Sequence, residues 1–370
     1  MRAPRLRMSE DAAMNARAIP SVGDVGPLVL GAMSFERLST DQLDVSRYDA
    51  LLDHALAEGI SAFDTAPLYG FHGSERYLGN YAKRRGVKLN VFTKVGLRWD
   101  DTHGDVLFEA RVDGQQRTVR KDARPESITR ELDGSCERLG VSKLPLVLVH
   151  HRDKRVPLGE TMGALVDAWK RGRVGAIGVS NHNAADVEIA ARAVQKASDG
   201  KLALSCTQDL YNLLHRDAEK DLLRVNHVRG LGFLAFSPLA QGLLSGAMGS
   251  TRVLSKDDWR GGIPAFSRSS RALIQSVIER DVEPLARRHG VHVSAVGIAW
   301  VIAQPGVNAA IVGARDRSQL REWLSAATLQ LNERELARIG DAFASIEHVT
   351  RPNALAGLVE RVRSRFSLGR

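Results

Sequence analysis

Four residues of unlike chemistry stand at, or just beyond, the ends of short apolar runs. Asp64 closes the run at 61–64, Lys94 the run at 90–94 and His150 the run at 146–150; Tyr69 follows shortly after Asp64. An ionisable group at the end of a buried run is costly unless it is paired. If the runs are parallel strands, the three groups converge on one pocket, and a loop after Asp64 can turn the Tyr69 hydroxyl into it. The chemistry follows from the types. A phenol with an ordinary pKa of about 10 is a poor acid at neutral pH. A neighbouring ammonium favours the phenolate and lowers that pKa. A carboxylate keeps the ammonium charged, and a histidine can donate a hydrogen bond to a carbonyl oxygen and orient it. Together they make a proton donor for a carbonyl being reduced, or a base for an alcohol being oxidised. Singly, each residue has a plainer use: Asp64 as a helix cap, Lys94 as a snorkelling surface residue, Tyr69 as a loop anchor, His150 as a satisfied core histidine. Four such coincidences are a poorer account than one site. His151 competes with His150, because neighbours on a strand face opposite sides and only one of them points into the mouth.

The elements that must position these groups are legible in outline. Eight apolar runs occur, at 27–31, 61–64, 90–94, 146–150, 176–180, 203–208, 232–236 and 309–313. Most lack alternation, so both faces are expected to be buried, as in a parallel sheet covered by helices. Amphipathic stretches lie between them, at 47–57, 74–85, 125–139, 158–171, 184–197, 218–228, a long pair over 271–303, and 316–327. Pro125 sits at a helix start, where its missing N–H is harmless. Eight strand–helix units without a composition break predict one α/β domain over 27–346, a (β/α)8 TIM barrel with long βα loops. An open doubly wound sheet is the runner-up, but the GxGxxG fingerprint of dinucleotide binding is absent. Residues 1–26 read as a disordered or loosely packed leader, and 347–370 as a basic tail. Two insertions, 99–124 and 245–270, follow the third and seventh runs. In a barrel they project from the end where sites are built, as lids or substrate loops. Trp99, Trp259, Leu68, His72, Met33 and Phe35 are candidate pocket walls.

Composition narrows the class. Of 370 residues, 44% are hydrophobic and 26% charged, which excludes a disordered chain. Lys and Arg number 52 against 43 Asp and Glu, a net +9. That favours anionic ligands, but the basic residues are scattered, so nucleic acid is not an expected partner. No apolar stretch is long enough to cross a membrane, and none is an expected anchor. Two separated cysteines, Cys136 and Cys206, exclude a disulfide framework and fit a reducing compartment, so the cytoplasm is the expected location. The N-terminus is Arg-rich without an apolar core and does not read as a secretory signal.

Spaced blocks of this sequence resemble the aldo-keto reductase family. Asp64-Thr-Ala-Pro-Leu-Tyr-Gly70 followed by Gly73-Ser-Glu-Arg-Tyr-Leu-Gly79 is similar to one family signature. Val91-Phe-Thr-Lys94 resembles its lysine strand, Leu146-Val-Leu-Val-His-His-Arg-Asp153 its histidine strand, and Gly172-Arg-Val-Gly-Ala-Ile-Gly-Val-Ser-Asn181 a further block. The resemblance spans about 27–346. It implies a barrel that binds NADP(H), with NAD(H) possible, and no Rossmann fold. It implies Tyr69 as general acid/base with Asp64, Lys94 and His150 in support, and so selects His150 over His151. It implies that Ser180, Asn181 and Gln208 hold the nicotinamide carboxamide, whose donors and acceptors suit amide and hydroxyl partners. Phe236 would stack on the nicotinamide, and Ser237, Leu239 and Gly242 would approach the pyrophosphate. In the block Ile311-Val-Gly-Ala-Arg-Asp-Arg-Ser-Gln-Leu320, Gly313, Arg315 and Gln319 are the cofactor candidates, with Arg321 nearby. Guanidinium binds phosphate bidentately, so Arg315 is assigned the 2′-phosphate, while Asp316 would repel it.

The function implied is an NAD(P)H-dependent oxidoreductase on an aldehyde, ketone or sugar, running as carbonyl reductase or as aldose dehydrogenase. The partner is then a small molecule, and a monomer or weak homo-oligomer is expected. A cofactor-binding regulatory subunit similar to potassium-channel beta subunits is the alternative. A metal-dependent hydrolase on a barrel is weaker, since His150, His151 and Asp153 on one strand cannot all reach one ion; no metal site is expected.

Overall fold

The computed structural model describes residues 18–33, 45–112, 115–255 and 258–346. Eight strands close into a parallel barrel: β1 (Leu28–Gly31), β2 (Ala62–Asp64), β3 (Asn90–Val95), β7 (Leu144–Val149), β8 (Val174–Ser180), β9 (Cys206–Leu210), β10 (Gly232–Phe236) and β11 (Ala309–Val312). Closure is made by β1, whose Leu30 pairs with Phe63 on one side and Val312 on the other. The outer shell is α1 (Val45–Ala57), α2 (Gly73–Arg85), α3 (Pro125–Leu139), α4 (Leu158–Lys170), α5 (Ala184–Ala197), α6 (Leu222–Arg229), α7 (Arg268–Val277), α8 (Glu283–His289), α9 (Val293–Ile302), α10 (Arg317–Leu324) and α11 (Glu333–Ala344). The TIM barrel expected from the eight runs is the fold, and the open sheet is excluded by the β1–β11 pairing.

The core divides as strand geometry requires. One cluster fills the barrel interior and includes Val29, Ala62, Phe92, Leu148, Cys206 and Leu234. A larger one, with Leu30, Phe63, Val91, Val147 and Phe233, packs the strands against the helices. Side chains on one face of a strand recur every second residue. Two residues beyond the interior Ala62, Phe92, Leu148, Cys206 and Leu234 come Asp64, Lys94, His150, Gln208 and Phe236. The apolar filling and the polar groups at the mouth therefore belong to the same faces of the same strands.

Several expectations are revised. The leader boundary at 26 lies too far along the chain. Ile19 and Val25 are buried with the interior cluster and plug its lower end. Ile19 and Gly23 exchange backbone hydrogen bonds of 3.0 and 2.9 Å, and a Cβ on Gly232 would sit 3.2 Å from Ile19. Residues 1–17 and 347–370 lie outside the described residues. The insertion at 99–124 is a small antiparallel sheet, not an open loop: β5 (Asp105–Val112) pairs with β6 (Gln115–Lys121), which pairs with β4 (Leu97–Arg98). It covers a third apolar cluster of Leu68, Phe71, Leu97, Leu107, Phe108 and Val119. The pair over 271–303 is three helices. A π-helical turn, Ile278–Val282, precedes Pro284, which has no N–H, and Gly290 ends α8 with φ +64°. Helix α11 was not among the expected elements, although Asn332 and Glu335 form a capping box at its start.

The glycine that closes the first signature has a packing reason. A Cβ on Gly79 would lie 2.1 Å from the backbone oxygen of Arg138, so α2 and α3 touch there through bare backbone. Gly79→Ala is expected to destabilise the fold by about 3 kcal/mol, the upper range for overpacking. Denaturant unfolding measures it, and a loss below about 0.5 kcal/mol would mean that the helices separate freely.

Candidate active site

Lys94 and Asp64 are 1% and 3% exposed, deep enough that neither charge could stand alone. The Lys94 Nζ donates to Asp64 Oδ1 at 2.7 Å and to the Thr65 carbonyl at 2.8 Å. Gln208 Nε2 donates to the second oxygen, Asp64 Oδ2, at 2.8 Å, so both carboxylate oxygens are satisfied. Burial works to lower the Lys94 pKa, but Asp64 and Tyr69 outweigh it and hold the ammonium above its ordinary value. Nζ lies 4.9 Å from the centroid of the Tyr69 ring. The tyrosine is carried by a tight turn after β2, in which Tyr69 N donates to the Ala66 carbonyl at 3.0 Å and Ser74 N to the Tyr69 carbonyl at 3.1 Å. Ser74 anchors that turn, with its hydroxyl 3.0 Å from the Ala32 carbonyl and 2.8 Å from the Thr65 hydroxyl.

His150 meets Tyr69 edge to face, with ring centroids 5.9 Å apart. His151 is where strand reasoning fails. The strand ends at Val149; His150 N still donates to the Val95 carbonyl at 2.9 Å, and past His150 the alternation no longer applies. The two imidazoles stack instead, with centroids 5.3 Å apart and planes inclined by 20°. Both rings stand on the same side of the chain. Burial, with the Lys94 charge second, holds the His150 pKa well below its usual range. Burial, Lys121, His182 and Lys94 push His151 down to about 3. Each is therefore a neutral imidazole at physiological pH, able to donate one hydrogen bond without carrying charge.

The cofactor candidates form two groups. Ser180, Asn181 and Gln208 adjoin the four residues above. Asn181, with φ +57°, gives both hydrogen-bond donations of its Nδ2 to the His150 carbonyl and the Ser180 hydroxyl, at 2.9 and 3.0 Å. The amide oxygens of Asn181 and Gln208 accept nothing from the described residues. Phe236 packs partly buried at the top of the interior cluster. Beyond it, Ser237, Ala240, Gln241 and Gly242 all have positive φ, between +47° and +104°, and make a compact turn with Leu239 buried inside it. Two residues that sequence reasoning missed hold this turn. Asn212 Nδ2 donates to the Ser237 carbonyl at 2.9 Å, and Arg260 Nη1 donates to the Gln241 carbonyl at 3.2 Å. The only sequence signal for Arg260 is its pairing with Asp258 two residues earlier.

The second group lies after β11. Gly313 and Arg315 are exposed. Gln319 Oε1 accepts from Arg315 N at 3.0 Å, so this side chain braces backbone. Asp316 caps α10 by accepting from Gln319 N at 2.9 Å, and its other oxygen pairs with Arg47 at 3.0 Å. The Gln319 N–H, with Arg47 in support, holds its pKa below the ordinary carboxylate value. Its charge is thus engaged by the cap and by Arg47, a partner the local sequence does not reveal.

The insertions become walls. Trp99 packs on Phe71 and His72, with centroid distances of 4.9 and 4.6 Å, and Leu68 is buried beside them. Burial, helped by the Arg138 charge, lowers the His72 pKa to about 3. Met33 is half-buried after β1, while Phe35 and the side chain of Trp259 lie outside the described residues. The 245–270 segment is tied down by Arg271, which donates to the carbonyls of Phe266, Gly249 and Arg252 at 3.0, 2.8 and 2.7 Å. No group of three His, Cys, Asp or Glu side chains that could hold a metal ion occurs among the described residues, nor any helix long and apolar enough to cross a membrane.

Residues 27–343 match the model of the Aldo/keto reductase family. The chain belongs to that family. It is similar to an aldo-keto reductase of Strobilurus tenacellus, at 28% identity over 85% of this chain and 88% of that one. An aldo-keto reductase of Bacillus subtilis is 31% identical over 72% of this chain and 74% of its own. An NADH-specific methylglyoxal reductase of Escherichia coli is 27% identical over 78% and 85%. Among solved structures, the glycerol dehydrogenase of Gluconobacter oxydans superposes with a TM-score of 0.79 at 28% identity, covering 90% of this chain and 96% of that chain. This aldo/keto reductase is accordingly an oxidoreductase enzyme that acts on carbonyl compounds and uses a nicotinamide cofactor.

Proposed function

We propose that this aldo/keto reductase interconverts an aldehyde, ketone or sugar and its alcohol with NADP(H), and that Tyr69 is the general acid and base. The observation that carries the reading is the buried Asp64–Lys94 pair with its ammonium 4.9 Å from the Tyr69 ring centroid. A fixed positive charge there favours phenolate over phenol, which makes Tyr69 a better proton donor and acceptor near neutral pH. Asp64, itself fixed by Gln208, keeps Lys94 charged. His150 is neutral, so it donates a hydrogen bond to the carbonyl oxygen without competing for the proton. Reduction takes the proton from Tyr69 Oη to that oxygen; oxidation returns it. The bound cofactor supplies or accepts the hydride.

The residues present fit a nicotinamide dinucleotide. Asn181 gives both of its Nδ2 donations, and Gln208 one of its two, inside the protein, and both keep their acceptor oxygens open, which suits a carboxamide NH2. Ser180 offers the complementary hydroxyl. The Phe236 ring gives a stacking face, and the turn of Ser237, Leu239 and Gly242 supplies backbone for a pyrophosphate. Gly313 leaves room beside Arg315 for the adenosine end. Arg315 is the reader of the 2′-phosphate. The ion pair of Asp316 with Arg47 reduces the repulsion that Asp316 would otherwise exert, which supports NADPH over NADH. Cys136 and Cys206 are buried free thiols, in keeping with a reducing cytoplasm.

Fluorescence titration of the purified protein with NADPH and NADH tests the reading. NADPH is expected to bind at least about tenfold more tightly, the worth of one charge-assisted phosphate contact. Arg315→Ala should weaken NADPH by about tenfold and NADH by less than about twofold. Equal losses would remove Arg315 from the phosphate site. Absence of binding by either nucleotide would overturn the cofactor assignment.

A further inference from the structure

A buried carboxyl behind the site has no part in the proton step. Glu131 stands on the buried face of α3 and is 3% exposed. No cation forms an ion pair with it among the described residues. The two cations whose charge reaches it are held by other acids. Arg98 pairs with Asp100, and Arg138 with Glu75, which also accepts from the Thr93 hydroxyl at 2.6 Å. The ionisable residues of α4, Glu160, Asp167 and Lys170, are exposed, and Asp122 above it is paired with Arg124. What Glu131 does hold is backbone: its Oε2 accepts from Gly96 N at 2.5 Å. Burial pushes its pKa up to about 8; Glu75 adds to this, while the Gly96 N–H, Arg98 and Arg138 oppose it. At neutral pH the group is therefore mostly an uncharged carboxyl that offers an oxygen to one N–H.

Gly96 is the joint between the barrel and the insertion sheet. It is the single residue between β3 and β4, and its φ of +94° is one that glycine adopts at little cost. Glu131 holds its N–H from α3, and its carbonyl accepts from Asp122 N at 3.1 Å, where the sheet returns to the barrel. On the barrel side, Lys94 lies two residues back, and the Val95 carbonyl carries the His150 N–H. On the other side, Leu97 belongs to the apolar cluster against which Tyr69 and Trp99 pack. One residue thus separates the strand that carries the ammonium from the sheet that packs on the phenol.

We propose that Glu131 is a positioning residue: by holding Gly96 N it fixes this joint, and with it the spacing of the Lys94 ammonium and the Tyr69 ring. This rests on the acid–base reading of Tyr69 above and adds to it a group that acts through backbone rather than on the reacting atoms. Without the acceptor, a buried N–H is left unmet, and the joint must move to satisfy it. The ammonium then favours the phenolate less, and the Tyr69 pKa rises toward that of an ordinary phenol. A displacement of about 1 Å at such a site costs up to about a hundredfold in rate.

Three substitutions at this position test it, with NADPH and glyceraldehyde as the probe aldehyde. Glu131→Gln keeps an acceptor at the same reach and should stay within about threefold of the native kcat at neutral pH. Glu131→Leu removes the acceptor and Glu131→Asp withdraws it by one carbon. Each should lower kcat by at least about tenfold and leave KM within about threefold. In both, the alkaline limb of kcat/KM for reduction, where Tyr69 has lost its proton, should move up by about half a pH unit or more. Glu131→Gln sets the reference limb, since nothing titrates at that position in it. A role confined to the fold would lower the unfolding midpoint and leave the limb in place. NADPH affinity, read by fluorescence, reports that each variant is folded; if Glu131→Leu does not fold, Glu131→Asp carries the test. A native kcat or an unmoved limb in Glu131→Asp would overturn the proposal, as would a loss in Glu131→Gln as large as in Glu131→Asp. If Tyr69→Phe loses turnover while Glu131→Asp does not, this inference alone falls. Native turnover in Tyr69→Phe would remove the acid–base reading and this inference together.

Discussion

Tyr69→Phe is expected to lose turnover by about a thousandfold, within the range for removing a positioned proton donor. The variant keeps the ring, so the edge contact with His150 and the packing over Lys94 survive. Only the hydroxyl goes. The loss should appear in kcat more than in KM, because the proton moves in the transition state. Dinucleotide affinity should change by less than about twofold, since the ring and the turn that carries it are kept. Steady-state kinetics and fluorescence titration separate the two. Turnover within tenfold of the native protein would assign the proton step to another group.

Removing the ammonium should have the second largest effect, on two quantities at once. Lys94→Met leaves a carboxylate 3% exposed with only Gln208 opposing it. Breaking one partner of a buried pair leaves an unpaired charge and destabilises by about 3–5 kcal/mol. Activity should fall at least about a hundredfold, because Tyr69 loses the charge that favours its phenolate. The double variant Asp64→Asn with Lys94→Met separates these effects. It removes both charges, and most of the lost stability should return while the activity does not. Unfolding midpoints and turnover rates for the three proteins check this. Recovery of activity along with stability would mean that Lys94 serves only the fold.

The parts of this protein that local patterns control were legible in its sequence. Seven of the eight strands fall within about two residues of the apolar runs, because a buried parallel strand needs a continuous apolar stretch. The exception, the run at 203–208, is displaced along the chain to Cys206–Leu210. The sheet at 99–124 escaped notice for a related reason. A register shift between Val106 and Phe108 interrupts the alternation that would have marked β5 as a strand. Helix α11 was missed in spite of a readable capping box.

Within the candidate site, the same division holds. Asp64, Lys94 and His150 were readable as charged or polar ends of buried runs, and Tyr69 from the signature that follows Asp64. Strand alternation then misplaced His151, since the chain leaves β7 at Val149 and the ring turns to stack on His150. The bond from Gln208 to Asp64 joins residues 144 apart, and the pair of Arg47 with Asp316 joins residues 269 apart. Nothing local marks either partner.

By itself the sequence determined the eight strand–helix units, the family, and which ionisable groups stand at the barrel mouth. Those follow from hydrophobic periodicity and short motifs, which act over a few residues. Only the tertiary structure decided which of those groups are paired, which imidazoles share one side of the chain, and which acceptor is left without a donor. Those depend on barrel closure and strand register, which set distances between residues far apart in the chain and so decide the electrostatics of the site.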